Sequence, residues 1–199
     1  MSQGALINAP PASPVPGRER RRTVGAGWAW WLAGWLCVAT VTAGESFSER
    51  DIKAALLVKV AQFVEWPSDA FGGADAPLTM AILGQDPFGE KLEESLRGVL
   101  VAGRPVRLTR CRTVAESAGC HVLFVAAANP AGMAEVLKQV AGKPVLTVGD
   151  AAGFASDGGM VNFIKDEGRV RLEVNVAAAR KAGLRLSAKL VQVARVVGS

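Results

Sequence analysis

Two short loops carry the side chains best placed to touch a ligand: Gly84-Gln85-Asp86-Pro87-Phe88-Gly89 and Gly149-Asp150-Ala151-Ala152-Gly153-Phe154. Each follows an apolar run that reads as a parallel strand, and open α/β sheets place their ligand crevice at the carboxyl ends of such strands. Gly84, Asp86, Phe88, Gly149 and Asp150 are therefore the expected ligand-contacting residues. The competing role for Asp86 and Asp150 is structural: each caps the following helix by accepting from its free backbone N–H groups. Neither loop is a phosphate cradle. Gly-x-x-x-x-Gly without a following Lys-Ser/Thr lacks both the amine and the magnesium ligand that nucleotide hydrolysis needs.

Covalent or acid–base catalysis has little to work with. A serine or cysteine nucleophile usually needs a base, and the only histidine, His121, stands beside Cys120 at the start of an apolar run. One histidine makes neither a triad nor a metal set, so His121 reads as a packed or edge residue. Glu65, next to Trp66, has no partner acid at a defined spacing. No catalytic residue, no cofactor and no metal site is expected.

Arg18-Glu19-Arg20-Arg21-Arg22 runs into a charge-free apolar stretch, residues 24–43, that ends in Val41-Thr42-Ala43. A basic start, an apolar middle and a small-residue exit make an export signal, with an uncleaved membrane anchor as the alternative. The expected organisation is an unstructured extension over 1–17, the signal over 18–43 and one α/β domain over 44–199. The leader takes four arginines, one glutamate and four of the five tryptophans with it. What remains is nearly neutral and has no interleaved basic and aromatic surface, so nucleic acid is not an expected partner. Outside the cytoplasm, Cys111 and Cys120 are expected to form a disulfide closing residues 112–119, a loop constraint of roughly 2.5–3 kcal/mol. The alternative is two thiols in a reducing compartment.

The elements that must position the two loops follow from periodicity. Ile52, Leu56, Val60, Phe63 and Val64 form a helical stripe that Pro67 stops, with Lys53 snorkelling inside it. Strands are predicted over 78–83, 106–109, 122–126 and 145–148, with helices over 88–100 and over 133–140, the latter opened by Asn129 and Pro130. Residues 160–164 and 170–174 flank a turn and form an antiparallel hairpin. The chain ends in a helical region over 177–197, nicked near Gly183 and capped again by Ser187. Its Arg180, Lys181, Arg185, Lys189 and Arg195 suit either a solvated face of a packed helix or a partner or membrane-surface helix. The predicted class is α/β: a three-layer sandwich with a mainly parallel central sheet and an antiparallel hairpin at one edge.

Seven segments occur in an order that carries a resemblance: Lys53-Ala54-Ala55-Leu56 through Phe63-Val64-Glu65-Trp66-Pro67; Leu83-Gly84-Gln85-Asp86-Pro87-Phe88-Gly89; Gly103-Arg104; Cys120-His121-Val122-Leu123-Phe124; Pro144 through Gly149-Asp150; Phe154 to Phe163 with Gly158-Gly159; and Asn175 through Leu190. Together they resemble the YfiR-like family of exported bacterial regulators. The resemblance implies a small periplasmic α/β domain that binds the periplasmic sensor region of an inner-membrane diguanylate cyclase and holds it inactive. It also implies an outer-membrane partner that relieves this hold, and fits Cys111 and Cys120 as a family-like structural disulfide. A homodimer is compatible with it. The leading expectation is thus a non-enzymatic periplasmic regulator that lowers cyclic di-GMP signalling. The alternative is a small-molecule sensor that uses a crevice between the Asp86 and Asp150 loops and feeds a membrane histidine kinase.

Overall fold

Ser48 opens the first element in the computed structural model, which describes residues 48–126 and 130–198. Its hydroxyl accepts from the Asp51 N–H at 3.2 Å while the Asp51 carboxylate accepts from the Ser48 N–H at 3.0 Å. This reciprocal box starts helix α1 (Glu49–Gln62). The extension over 1–17, the export signal over 18–43 and the helix-opening Asn129 lie outside the described residues.

In chain order there follow β1 (Val64–Glu65), β2 (Leu78–Leu83), α2 (Glu90–Leu96), β3 (Leu100–Val101), β4 (Arg104–Cys111), β5 (Val122–Val125), α3 (Pro130–Val140), β6 (Leu146–Gly149), β7 (Val161–Asp166), β8 (Arg169–Val174), α4 (Val176–Lys181), β9 (Arg185–Leu186), α5 (Ala188–Val193) and β10 (Arg195–Val196). Eight strands form one sheet in the order β3-β4-β2-β5-β6-β7-β8-β10, and β1 pairs with β9 in a separate two-stranded ribbon. From β4 to β7 every neighbour is parallel, and β10 is parallel to β8. Among the described residues of this sheet only β3 with β4 and β7 with β8 are antiparallel, and the β1–β9 ribbon is antiparallel too.

Both faces of the sheet are covered, as its continuous apolar strands require. On β2, Met80 and Ile82 face one core with Leu57 and Val58 of α1, Leu92 of α2 and Phe124 of β5. The alternate residues, Ala81 and Leu83, face a second core with Leu123, Val125 and the Met133, Leu137 and Val140 stripe of α3. Helix, sheet and helix thus make the three layers. The hairpin turns at Glu167 (φ 47°) and Gly168 (φ 76°), the paired positive φ values that match the twist of a two-residue connection.

Three expectations are corrected. The buried face of α1 is Ala54, Leu57, Val58, Val60 and Ala61: of the predicted stripe Val60 and, just past the helix, Val64 are buried, Leu56 is half-buried, and Ile52 and Phe63 are exposed. Two small alanines at the sheet side let the helix lie close, and counting only large apolar residues misses them. The helix predicted over 88–100 is only Glu90–Leu96: Phe88 turns inward to pack edge-on against Phe124 at 4.7 Å, and Leu100 enters β3. The C-terminal region is not one nicked helix. Gly183 (φ 73°) breaks it, Arg185 and Leu186 leave to pair with Glu65 and Val64, and Arg195 and Val196 add to the sheet outside the hairpin.

Candidate functional site

Asp86 is fully engaged within the fold. One carboxylate oxygen accepts from the Phe88 N–H at 2.7 Å and the Gly89 N–H at 3.2 Å, and the other accepts from Arg110 Nε at 2.7 Å. Arg110 also reaches Glu93 at 2.6 Å, so the loop after β2 is tied to β4 and α2 together. Gly84 (φ 94°) sits where a Cβ would lie 2.8 Å from the Ala126 carbonyl oxygen, so only glycine allows the ends of β2 and β5 to approach. Phe88 is fully buried.

The second loop is held differently. Asp150 does not cap a helix, because residues 151–157 form turns. Its carboxylate accepts from Lys53 Nζ at 3.1 Å, Lys53 pairs also with Glu49 at 3.1 Å, and Glu49 with Lys165 at 2.9 Å. Burial by itself would push the Lys53 ammonium down, but its bonds to Asp150 and Glu49 outweigh this and hold it above its ordinary value. Hydrogen bonds from Lys165 and then Lys53 hold the Glu49 carboxyl below the usual range. Gly149 and Gly159 exist to admit Phe154: a Cβ on either would come within 2.7 Å and 2.2 Å of its ring.

The two predicted loops project from the same end of the sheet. β5 lies between β2 and β6, and each aspartate is neutralised by its own cation. Of the five predicted residues, Gly84 lines a crevice of about 280 Å³ with Thr113, Ala126, Met133 and Val136. This crevice lies between β2, which leads on to β4, and β5, which leads on to β6, and such a switch point is where α/β sheets take ligands. A larger open groove of about 730 Å³ was not foreseen from the sequence. It runs between the end of α3 and α4, with Thr147, Met160 and Asn175 along it and Asp157 and Lys181 among its walls. Five separate segments build it, so no local spacing announces it.

His121 is a junction. Its backbone N–H donates to the Thr79 carbonyl at 2.8 Å, and its carbonyl accepts from the Leu146 N–H at 2.8 Å and from Trp66 Nε1 at 3.3 Å. Ring Nδ1 accepts from the Thr79 N–H at 3.0 Å, which places the ring proton on Nε2, 3.2 Å from the Ala70 carbonyl. Phe71 stacks on the imidazole at 4.6 Å, and the Arg104 guanidinium lies 4.1 Å over the same Phe71 ring.

Cys111 and Cys120 are two buried free thiols where a disulfide was expected. The register explains the difference. Cys111 is level with Leu83 at the carboxyl end of β2, whereas His121, next to Cys120, bonds to Thr79 at the amino end. A disulfide needs Cα atoms within about 7 Å, and β2 runs between the two cysteines. Burial, then the charge of Cys111, push the Cys120 thiol up to about 11.

A family model described as YfiR/HmsC-like matches residues 50–195, which covers every strand and helix from the first turn of α1 into β10. The chain belongs to the YfiR/HmsC-like family. Among solved structures, the YfiR/HmsC-like chain is similar to an ABC domain in complex with L-Trp from Streptococcus pneumonia, with a TM-score of 0.51 and 13% identity over 73% of this chain. The match spans 60% of that domain's length and shows likeness of fold alone. Among the described residues no helix is long and apolar enough to cross a membrane, and no group of three or more His, Cys, Asp or Glu could hold a metal ion.

Proposed function

We propose that this protein is exported by residues 18–43, binds the periplasmic sensor region of an inner-membrane diguanylate cyclase and represses it, with an outer-membrane partner relieving the repression. The family match over 50–195 carries this reading. Val193 and Val196, the first 75% and the second 53% exposed beside the outermost strand β10, supply the apolar surface such docking needs. To repress, the protein must bind the inactive state better than the active one, and a hundredfold preference corresponds to roughly 2.7 kcal/mol. Deleting the gene raises cellular cyclic di-GMP. An unchanged level in cells that express the cyclase overturns the proposal. N-terminal sequencing of the exported protein reads whether the chain is cut after Ala43.

The 730 Å³ groove supports a second reading, a small-molecule sensor acting on a membrane kinase. Thermal-shift screening separates the two. Strong stabilisation by one metabolite class favours sensing, and stabilisation by the membrane partner alone favours docking.

A further inference from the structure

The segment between β1 and β2 covers the amino ends of β2 and β5, with Trp66 and Phe71 packed against the core. It is fastened there by a small set of groups that converge on His121. Arg104 donates to the carbonyls of Gly73 and Ala76 at 2.8 and 2.6 Å. Its guanidinium lies over Phe71, Phe71 stacks on the imidazole, and Trp66 Nε1 and the Ala70 carbonyl bond to the backbone and ring of the same histidine. We infer that His121 is an acid-sensitive staple, whose protonation releases residues 66–76 from the sheet.

The geometry leaves the imidazolium no place. Nδ1 already accepts from the Thr79 N–H, so a proton added there faces another donor at 3.0 Å; the ring must leave Thr79, and it is the ring that the Ala70 carbonyl and the Phe71 face of the covering segment hold. The residue is 8% exposed, so water cannot replace that partner without the covering segment moving. Among the described residues no carboxylate acts on the ring. Of the charged groups around it, Arg104 on β4 acts on it through space and opposes a second positive charge. On the covering segment Asp69 and Asp75 are exposed, and the adjacent Cys120 thiol is neutral, with its pKa at about 11. Burial pushes the imidazole below its ordinary value, the bond to the Ala70 carbonyl opposes this, and Arg104 adds to it.

The sign of the linkage follows. With its folded pKa depressed, the closed segment is fully favoured above the ordinary histidine value of about 6.5 and loses stability as pH falls from there to the folded pKa. Between those two values the opening equilibrium rises by up to about tenfold per pH unit. The device is a property of the fold and stands whether or not the protein docks on a cyclase.

The chain has one histidine, so ring-labelled histidine in the full protein, purified without a histidine tag, gives one set of signals. At neutral pH the ring is the neutral Nε2–H tautomer. On acidification it titrates below the ordinary value, and hydrogen exchange of residues 66–76, corrected for its intrinsic pH dependence, accelerates with the same midpoint. His121→Asn keeps an acceptor for the Thr79 N–H and cannot titrate, and it abolishes that acceleration. Two outcomes overturn the inference: a ring that titrates while exchange of 66–76 stays constant, or the same acceleration in His121→Asn. Where that variant does not fold, the match or mismatch of the two wild-type midpoints decides.

Discussion

Lys53 Nζ lies 3.1 Å from Asp150 Oδ2, joining the first turns of α1 to the loop after β6 across 97 residues of chain. Both side chains are mostly shielded, with 17% and 23% of their surface exposed. The neighbouring Lys165–Glu49 pair is far more open, at 63% and 44%. Shielding decides how each pair responds to salt, because exposed pairs are screened and contribute little.

Lys53→Met is therefore expected to destabilise the fold by about 1–2 kcal/mol, since it leaves the Asp150 carboxylate unpaired. Lys165→Met changes stability by less than about 0.5 kcal/mol. Urea unfolding at low and high salt checks both. Asp150→Asn should restore part of the loss in Lys53→Met. A double mutant no more stable than the single one contradicts the pairing as a source of stability.

Glu173 offers a sharper case. It sits 4% exposed on β8, level with Asn162 on β7 and Arg195 on β10, and accepts hydrogen bonds from both side chains. Arg195→Ala strands a buried carboxylate and is expected to cost about 2–4 kcal/mol, freeing the C-terminal strand. Glu173→Gln in the same chain recovers most of that. Equal destabilisation of the single and double variants in denaturant titrations refutes the assignment.

These two pairs mark the limit of what was legible in the sequence. The sequence sets the observed bounds of β2, and those of β5 to β8 within one or two residues, because alternation or continuous apolarity within one segment fixes them. The short strands β9 and β10 were read as helix. Two-residue strands have no periodicity of their own and form only because β1 and β8 present a partner from far along the chain. The aspartates at 86 and 150 were found by their position after strands, but their cations, 24 and 97 residues away, were not. Lys53 was read as a snorkelling amine for the same reason. The capping role expected of Asp86 is not met, because its carboxylate closes the turn at Phe88 and Gly89 and leaves the N–H groups of α2 without a side-chain cap, and Asp150 is a tether.

Phe154 is gripped by backbone at two points that bear no side chain. A methyl group at Gly159 would lie 2.2 Å from ring atom Cε1 and 2.7 Å from the Phe154 carbonyl oxygen, and the second contact cannot give way without moving the chain. Gly159→Ala is expected to destabilise by about 2–3 kcal/mol or more. Phe154→Leu rescues it only in part, since the carbonyl clash remains. Thermal unfolding of the three variants reads this directly. Full rescue by the leucine would place the constraint in the ring alone.

The two buried thiols give a chemical readout. With Cys111 2% and Cys120 6% exposed, and burial raising both thiols, neither should react with an alkylating reagent in the native protein at neutral pH. Both should react once the exported protein is unfolded without reductant. Mass spectrometry counts the labels. A count of zero at these positions until reductant is added means that the chain closes the disulfide and that residues 112–119 rearrange to allow it.

Val193 and Val196 separate stability from docking. Their side chains contribute little to the core because most of their surface faces solvent, so Val193→Asp and Val196→Asp are expected to change folding stability by less than about 0.5 kcal/mol. A charge placed in an apolar contact, by contrast, is desolvated without a partner on complex formation and costs several kcal/mol of affinity. The pair of substitutions should therefore leave the exported protein folded and at normal abundance while cyclic di-GMP rises to the level of the deletion strain. Repression unchanged in that double variant moves the docking surface away from β10. Repression lost together with abundance places the two valines in the fold instead.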